Sequence, residues 1–213
     1  MQFEKDYIYH IYNQGNNRQK IFYNRENYLY FLQKIRTYIL PYSDILAWCL
    51  MPNHFHLMVL IRHIELPVGK SGESLGVSQR HAETAHSDTA QSEKKRTFNS
   101  SIGIMLMSYT RAINKQQKRS GKLFREKTKS ECVNCPKNIS PSFIIKEGIT
   151  KINIQNIERE YPKICFRYIH QNPVKAGLSK KETDWEFSSA SDYAGLRNGK
   201  LVNKKIAIKI FED

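Results

Sequence analysis

Apolar and strand-forming residues dominate three stretches of the chain: Tyr7–Asn13, Asp44–Leu50 and His54–Ile61. Each has strand length and predicts a strand. Met51-Pro52-Asn53 separates the second from the third, and the two are expected to pair as a hairpin. The period turns helical after Asn24-Arg25-Glu26-Asn27, where Tyr28, Leu29, Phe31, Leu32 and Ile35 recur at helical spacing. A second helix is predicted over residues 102–118, with Ile104, Met105, Tyr109, Ala112 and Ile113 as its inner stripe. Lys122–Val133 reads mostly as a strand, and residues from about 154 to 172 as a helix. Pro173 lacks an amide proton and is expected to end that helix, with Gly177 in the following turn. This order predicts an α+β sandwich: an antiparallel sheet with helices packed on one face.

Residues from about 66 to 100 break the pattern. Ser, Glu, Gln, Ala, Thr and Lys dominate, and large apolar residues are few. Such a composition buries too little surface to offset its ordering entropy, so the stretch reads as a flexible insertion. The rest suits a single domain over 1–213, with 175–213 as a C-terminal tail. No internal repeat is visible.

Charge narrows the partners. Lys and Arg number 34 against 20 Asp and Glu, giving a net charge of +14. That excess suits a polyanion: DNA, RNA or an acidic lipid surface. No apolar run is long enough to span a membrane, and Met-Gln-Phe-Glu-Lys-Asp lacks the apolar core of a secretory signal. A cytoplasmic location is expected. Four cysteines do not make a disulfide scaffold. Cys49 and Cys165 read as reduced core thiols. Cys132 and Cys135 have zinc-ligand spacing, but no second such pair exists, so they read as ordinary thiols.

Two stretches carry candidate chemistry. In His54-Phe55-His56, strand alternation turns both imidazoles to one face and Phe55, Leu57 and Val59 to the other. From spacing alone the pair is open between gripping one divalent metal and two hydrogen-bonded rings. In Tyr168–Leu178, Tyr168 and Asn172 lie four apart and share a helix face, with His170 elsewhere. They read either as nucleophile and third metal ligand or as a buried tyrosine and a helix-terminal amide. Tyr109 is the main competing tyrosine, but it sits on an apolar stripe with Ile113 at the next turn. Tyr161 precedes Pro162 and reads as the start of a helical segment.

Met51–Leu60 and Tyr168–Leu178 together resemble the single-tyrosine HUH transposases, in particular the REP-associated tyrosine transposases. Tyr9–Phe22 resembles that family's first strand and turn, Gly121-Lys122-Leu123-Phe124-Arg125 its Gly-x-aromatic-basic motif, and Asp184–Ser189 its tail motif. The five occur in the family's order and span most of the chain. The resemblance implies a ferredoxin-like core. It implies a divalent metal held by His54, His56 and Asn172, and Tyr168 as the nucleophile. The mixed N/O ligand set suits Mg²⁺ or Mn²⁺, with zinc left open by ligand type alone.

The same resemblance implies the reaction. Tyr168 would cleave single-stranded DNA through a 5′-phosphotyrosine link and release a 3′-hydroxyl for strand transfer. REP-type hairpins are the expected target. Strand-binding candidates are Arg18, Lys20 and Arg25 near the first turn, and Lys115, Lys118, Arg119, Lys122 and Arg125 around the central one. Two features depart from the family pattern: the insertion at about 66–100, and Gln14 where arginine is common. The alternatives are a catalytically inactive or domesticated DNA-hairpin binder, a nuclease that activates water, and a basic RNA-binding module. Both monomer and homodimer are open.

Overall fold

A central sheet is built from β1 (Ile8–Gln14), β2 (Ser43–Met51), β3 (His54–Ile61) and β6 (Lys129–Cys132), in the order β2-β3-β1-β6. Every pairing is antiparallel. Helix α1 (Arg25–Tyr38) connects β1 to β2, and α2 (Phe98–Gln116) lies between β3 and β6. This is the βαββαβ arrangement of a ferredoxin-like α+β fold, as expected. The computed structural model describes residues 2–68, 94–135, 143–146, 149–152 and 157–212, with side chains over 2–68, 94–135 and 160–211. Among the described residues, no helix is long and apolar enough to cross a membrane.

Local chemistry explains the first layer. Asn24 caps α1 by accepting from the Asn27 amide, and Thr97 caps α2 by accepting from the Ser100 amide. Tyr28, Phe31 and Ile35 of α1 and Phe98, Ile102, Met105, Tyr109 and Ile113 of α2 are buried. They cover the sheet face of Ile11, Phe55, Leu57 and Val59. The second helix begins at Phe98, four residues before the predicted 102, because the Thr97 cap and the buried Phe98 ring anchor its first turn. Ile104 and Ala112 of the predicted stripe are only partly buried; Phe98, Ser101, Ile102 and Leu106 are buried in addition.

The expected single helical layer is that pair. A second layer covers the other face: α3 (Ile157–Lys175) and α5 (Lys204–Glu212) bury Cys165, Ile169 and Ala207 against Ile8, Leu46, Met58 and Leu60. Pro173 does not end α3. It sits inside the last turn, which runs to Lys175, where one missing amide proton removes a single bond. Gly177 then takes φ +69°, the left-handed conformation of a helix C-terminus.

Other boundaries also move. Only Lys129–Cys132 of the predicted 122–133 strand is a strand. Before it the chain meets β1 only at an isolated bridge between Phe124 and Gly15, so no ladder forms over 122–128. Short strands flank the predicted insertion, where β4 (Glu65–Pro67) pairs with β5 (Lys95–Thr97); residues 69–93 lie outside the described ones. Two further short strands, β7 (Phe143–Lys146) and β8 (Ile149–Ile152), pair with each other. Cys132 and Cys135 form a disulfide rather than ordinary thiols, because the turn after β6 brings their Cα atoms to 5.6 Å. Cys49 and Cys165 are buried free thiols.

The C-terminal segment runs along the outer edge of β2. The Leu50 amide donates to Phe187 and the Ser189 amide to Trp48, at 2.8 and 2.9 Å. Trp185 Nε1 donates to the Leu50 carbonyl at 2.9 Å. Asp192, in α4 (Ala190–Tyr193), holds the loop that follows. Its carboxylate, 1 % exposed, accepts from Arg197 Nε and Nη2 and from the Gly199 amide. Replacing Asp192 with Ala leaves the guanidinium without its partner in a half-buried site. The expected loss is about 3 kcal/mol, read from urea unfolding midpoints. A change under about 0.5 kcal/mol would mean the pair is a surface ornament.

Candidate active site

The sheet register assembles a polar patch on the α3 face. His54 lies opposite Gln14, His56 opposite Tyr12, and Met58 opposite His10. On the far side of β1, Glu131 lies opposite His10 and Lys129 opposite Tyr12. Directly paired residues share a face, so His10, Tyr12, Gln14, His54, His56, Lys129 and Glu131 all point toward α3.

The β2–β3 turn is pinned. The Pro52 carbonyl accepts from the Ile21 and Phe22 amides at 2.8 and 3.2 Å, and the Asn53 carbonyl from the Gly15 amide at 2.7 Å. Gly15 has no room for a side chain: a Cβ there would lie 2.1 Å from the Gln19 carbonyl oxygen. This turn fixes where His54 begins.

Each histidine is oriented by a partner. His54 Nδ1 is 2.6 Å from Asn53 Oδ1. A carbonyl oxygen only accepts, so Nδ1 carries the proton and Nε2 keeps its lone pair. His56 Nδ1 is 2.8 Å from His10 Nε2, and His56 Nε2 is buried with no hydrogen-bond partner. Burial lowers the pKa of both His54 and His56, so the rings are neutral at physiological pH. For His56 the neighbouring His10 and His54 push the same way; for His54 a hydrogen bond with the Asn172 side chain opposes it.

Tyr168 reaches this patch from α3. Its ring centroid is 5.5 Å from that of His56 and 6.2 Å from that of His10, edge-on to both. It is 41 % exposed, whereas Tyr109 is fully buried with its hydroxyl donating to the Ile21 carbonyl. Asn172 Nδ2 donates to the Tyr168 carbonyl one turn back at 2.7 Å, which leaves Oδ1 as a possible ligand. Lys175 Nζ lies 5.6 Å from the Tyr168 ring centroid.

These donors fit a divalent metal. A buried, unpartnered imidazole nitrogen is costly unless something takes its lone pair, and partners that orient ligating histidines through the other nitrogen are the rule in metal sites. No group of three or more His, Cys, Asp or Glu side chains among the described residues suits a metal. Asn172, one turn after Tyr168 on α3, carries a neutral amide oxygen on the same helix.

Tyr168, His54 and His56 line a cavity of 160 Å³ together with Arg125, Lys127 and Lys129. Of the basic residues singled out in the sequence, Arg125 lines it. Arg18 and Lys20 sit in the turn after β1, and Lys115 and Lys118 at the end of α2. Arg119 is bound to Gln19 and Tyr23, and Lys122 to Glu126. Arg25 makes an ion pair with Glu186 beside a different cavity. Lys127, Lys129, His10 and Asn53 escaped the sequence. Asn53, next to His54, offered a signal; His10 and Lys129 depend on strand register, and Lys127 on the bend that leads into β6.

No protein-family model and no curated protein matches this chain. One solved structure has its fold. It is that of a REP-associated tyrosine transposase bound to a REP hairpin, with a TM-score of 0.50 and 14 % identity, over 92 % of this chain and 83 % of that one. At that identity the likeness shows the shared fold, and the site rests on its own geometry.

The buried histidines predict a pH response. Burial lowers His10 and His170 to about 4, against small opposing effects of Glu131 and Asp192. Between their folded pKa and the unfolded value near 6.5, the unfolded chain binds more protons. Stability is therefore full above pH about 6.5 and falls as the pH drops toward 4, by up to about 3 kcal/mol for each ring. Urea titrations stepped from pH 7 to 4.5 read this directly; a flat response would contradict it.

Proposed function

We propose that this protein is a metal-dependent endonuclease and strand transferase of single-stranded DNA, acting at hairpin, REP-like DNA through a 5′-phosphotyrosine intermediate. What carries the proposal is the placement of Tyr168 against two oriented, neutral histidines in a cavity lined by Arg125, Lys127 and Lys129. The shared fold with a transposase bound to a REP hairpin supports it.

The residues divide the work. Arg125, Lys127 and Lys129 hold the DNA backbone by neutralising phosphates. The Tyr168 hydroxyl attacks the scissile phosphorus, losing its proton to solvent. The phosphorus–O3′ bond breaks, leaving the 5′-phosphate on Tyr168 and a free 3′-hydroxyl. A neutral phenol is a weak nucleophile, so polarising the phosphate carries much of the activation. Bound by His54, His56 and Asn172, Mg²⁺ or Mn²⁺ would supply charge that polarises the phosphate. His10 and Asn53 hold the two imidazoles in place. Attack of a 3′-hydroxyl on the phosphotyrosine restores a phosphodiester, so no nucleotide cofactor is needed.

The test is covalent trapping. The protein is incubated with labelled hairpin oligonucleotides from the DNA flanking its own gene, with and without Mn²⁺. A metal-dependent band of protein-linked DNA on a denaturing gel is expected. Cleavage without a linked band would point to a water-activating nuclease, and binding with neither to a domesticated hairpin binder.

A further inference from the structure

Tyr168 stands between two cavities of opposite character. The first holds the histidines and the basic side chains. The second, of 290 Å³, lies between α3 and the β1–β6 edge, and Tyr12, Glu131, Tyr161, Ile164 and Tyr168 help to line it. Among the described residues no lysine or arginine lines it. Tyr12, His56 and Tyr168 belong to both.

Its walls are aromatic and open. Tyr161, Ile164 and Tyr168 follow one another at helical spacing along one face of α3 and are 41, 56 and 41 % exposed. An exposed apolar stripe beside a nucleophile calls for an occupant. Opposite it, Tyr12 stacks on His10, with ring centroids 4.7 Å apart, and donates its hydroxyl to the Glu131 carboxylate. That bond engages Oε1 and leaves Oε2 as an oriented acceptor.

A phosphate is repelled by such a cavity, whereas a nucleobase suits it. Every base has a π-face to lay on tyrosine, worth about 1–3 kcal/mol per base. A carboxylate accepts from an exocyclic amine, as it does from cytosine N4. Thymine and uracil present carbonyl oxygens there and are repelled. We propose that this cavity is a nucleobase subsite. Tyr161 and Ile164 hold the base of a nucleotide next to the scissile phosphate, and Glu131 selects bases bearing an exocyclic amine over thymine or uracil. The subsite rests on the proposed function in one respect, that a DNA strand lies across Tyr168.

The experiment compares binding of oligo(dC), oligo(dU) and an abasic oligomer of the same length to the full chain, by fluorescence anisotropy at slightly alkaline pH. Cytosine and uracil share a ring and differ at the exocyclic group. Wild type should bind oligo(dC) roughly tenfold more tightly than oligo(dU). Glu131→Gln, whose amide both donates and accepts, should bring the two within about twofold. Tyr161→Ala should weaken both by roughly tenfold and leave the abasic oligomer unchanged. Equal affinities in the wild type, or a cytosine preference that survives Glu131→Gln, would overturn the subsite. Covalent trapping reads the proposed reaction separately. Its failure would sink the phosphotyrosine step while the base preference still decides the subsite.

Discussion

Tyr168→Phe should abolish the covalent DNA adduct and lower strand cleavage by at least about 10³-fold, while leaving the fold unchanged. The substitution removes one oxygen from a ring that is 41 % exposed, so the core is untouched. The ring keeps its edge contacts with His10 and His56, so the site keeps its shape. Thermal stability should stay within about 0.5 kcal/mol of wild type. Hairpin affinity should persist, because Arg125, Lys127 and Lys129 remain in place. Tyr161→Phe is the control, since it removes a hydroxyl near Tyr168 and keeps the ring that lines the second cavity. Cleavage that survives in Tyr168→Phe would identify water as the nucleophile.

His56→Ala should have the second largest effect, and on two readouts at once. The imidazole is 4 % exposed, and its Nδ1 is the partner of His10 Nε2. Removing it takes away the proposed ligand nitrogen and leaves the buried His10 ring without its hydrogen bond. Mn²⁺ binding and cleavage should fall by more than about 100-fold, with a stability loss of about 1–3 kcal/mol. His54→Ala separates the two effects. His54 is only half-buried and its partner Asn53 reaches solvent, so activity should fall as far with a smaller stability loss. If His56→Ala kept normal Mn²⁺ affinity, the unpartnered Nε2 would not be a ligand.

Much of the site was legible because two short periods decide it. Alternation along β3 puts His54 and His56 on one face, and the helical repeat stacks Asn172 on Tyr168. The two-sided helical cover was legible as well, though not inferred. Leu57, Met58, Val59, Leu60 and Ile61 form an unbroken apolar run, the mark of a strand buried on both faces. Since Leu57 and Val59 take the α1–α2 layer, Met58 and Leu60 need another, and α3 and α5 supply it.

What stayed hidden depends on register between distant segments. His10 orients His56 only because His10 falls opposite Met58, one diagonal step from His56, and nothing within Tyr7–Asn13 announces that pairing. Lys129 and Glu131 face the site because β6 adds to the β1 edge in one alignment out of several. Pro173 misled because a helix-breaking residue is harmless in a last turn, where the carbonyl it orphans lies near the end. The Cys132–Cys135 bond follows from the tight turn at the end of β6, which spacing alone does not distinguish from a free pair.

The most direct measurement is the position of the covalent link. The DNA–protein adduct is digested with nuclease and with a protease that cuts after lysine, and its peptides are weighed. The nucleotide mass should sit on the peptide Ile164–Lys175, whose sole tyrosine is Tyr168. A nucleotide on the peptide Ile152–Lys163, which carries Tyr161, or on none, would contradict the assignment of Tyr168 as nucleophile.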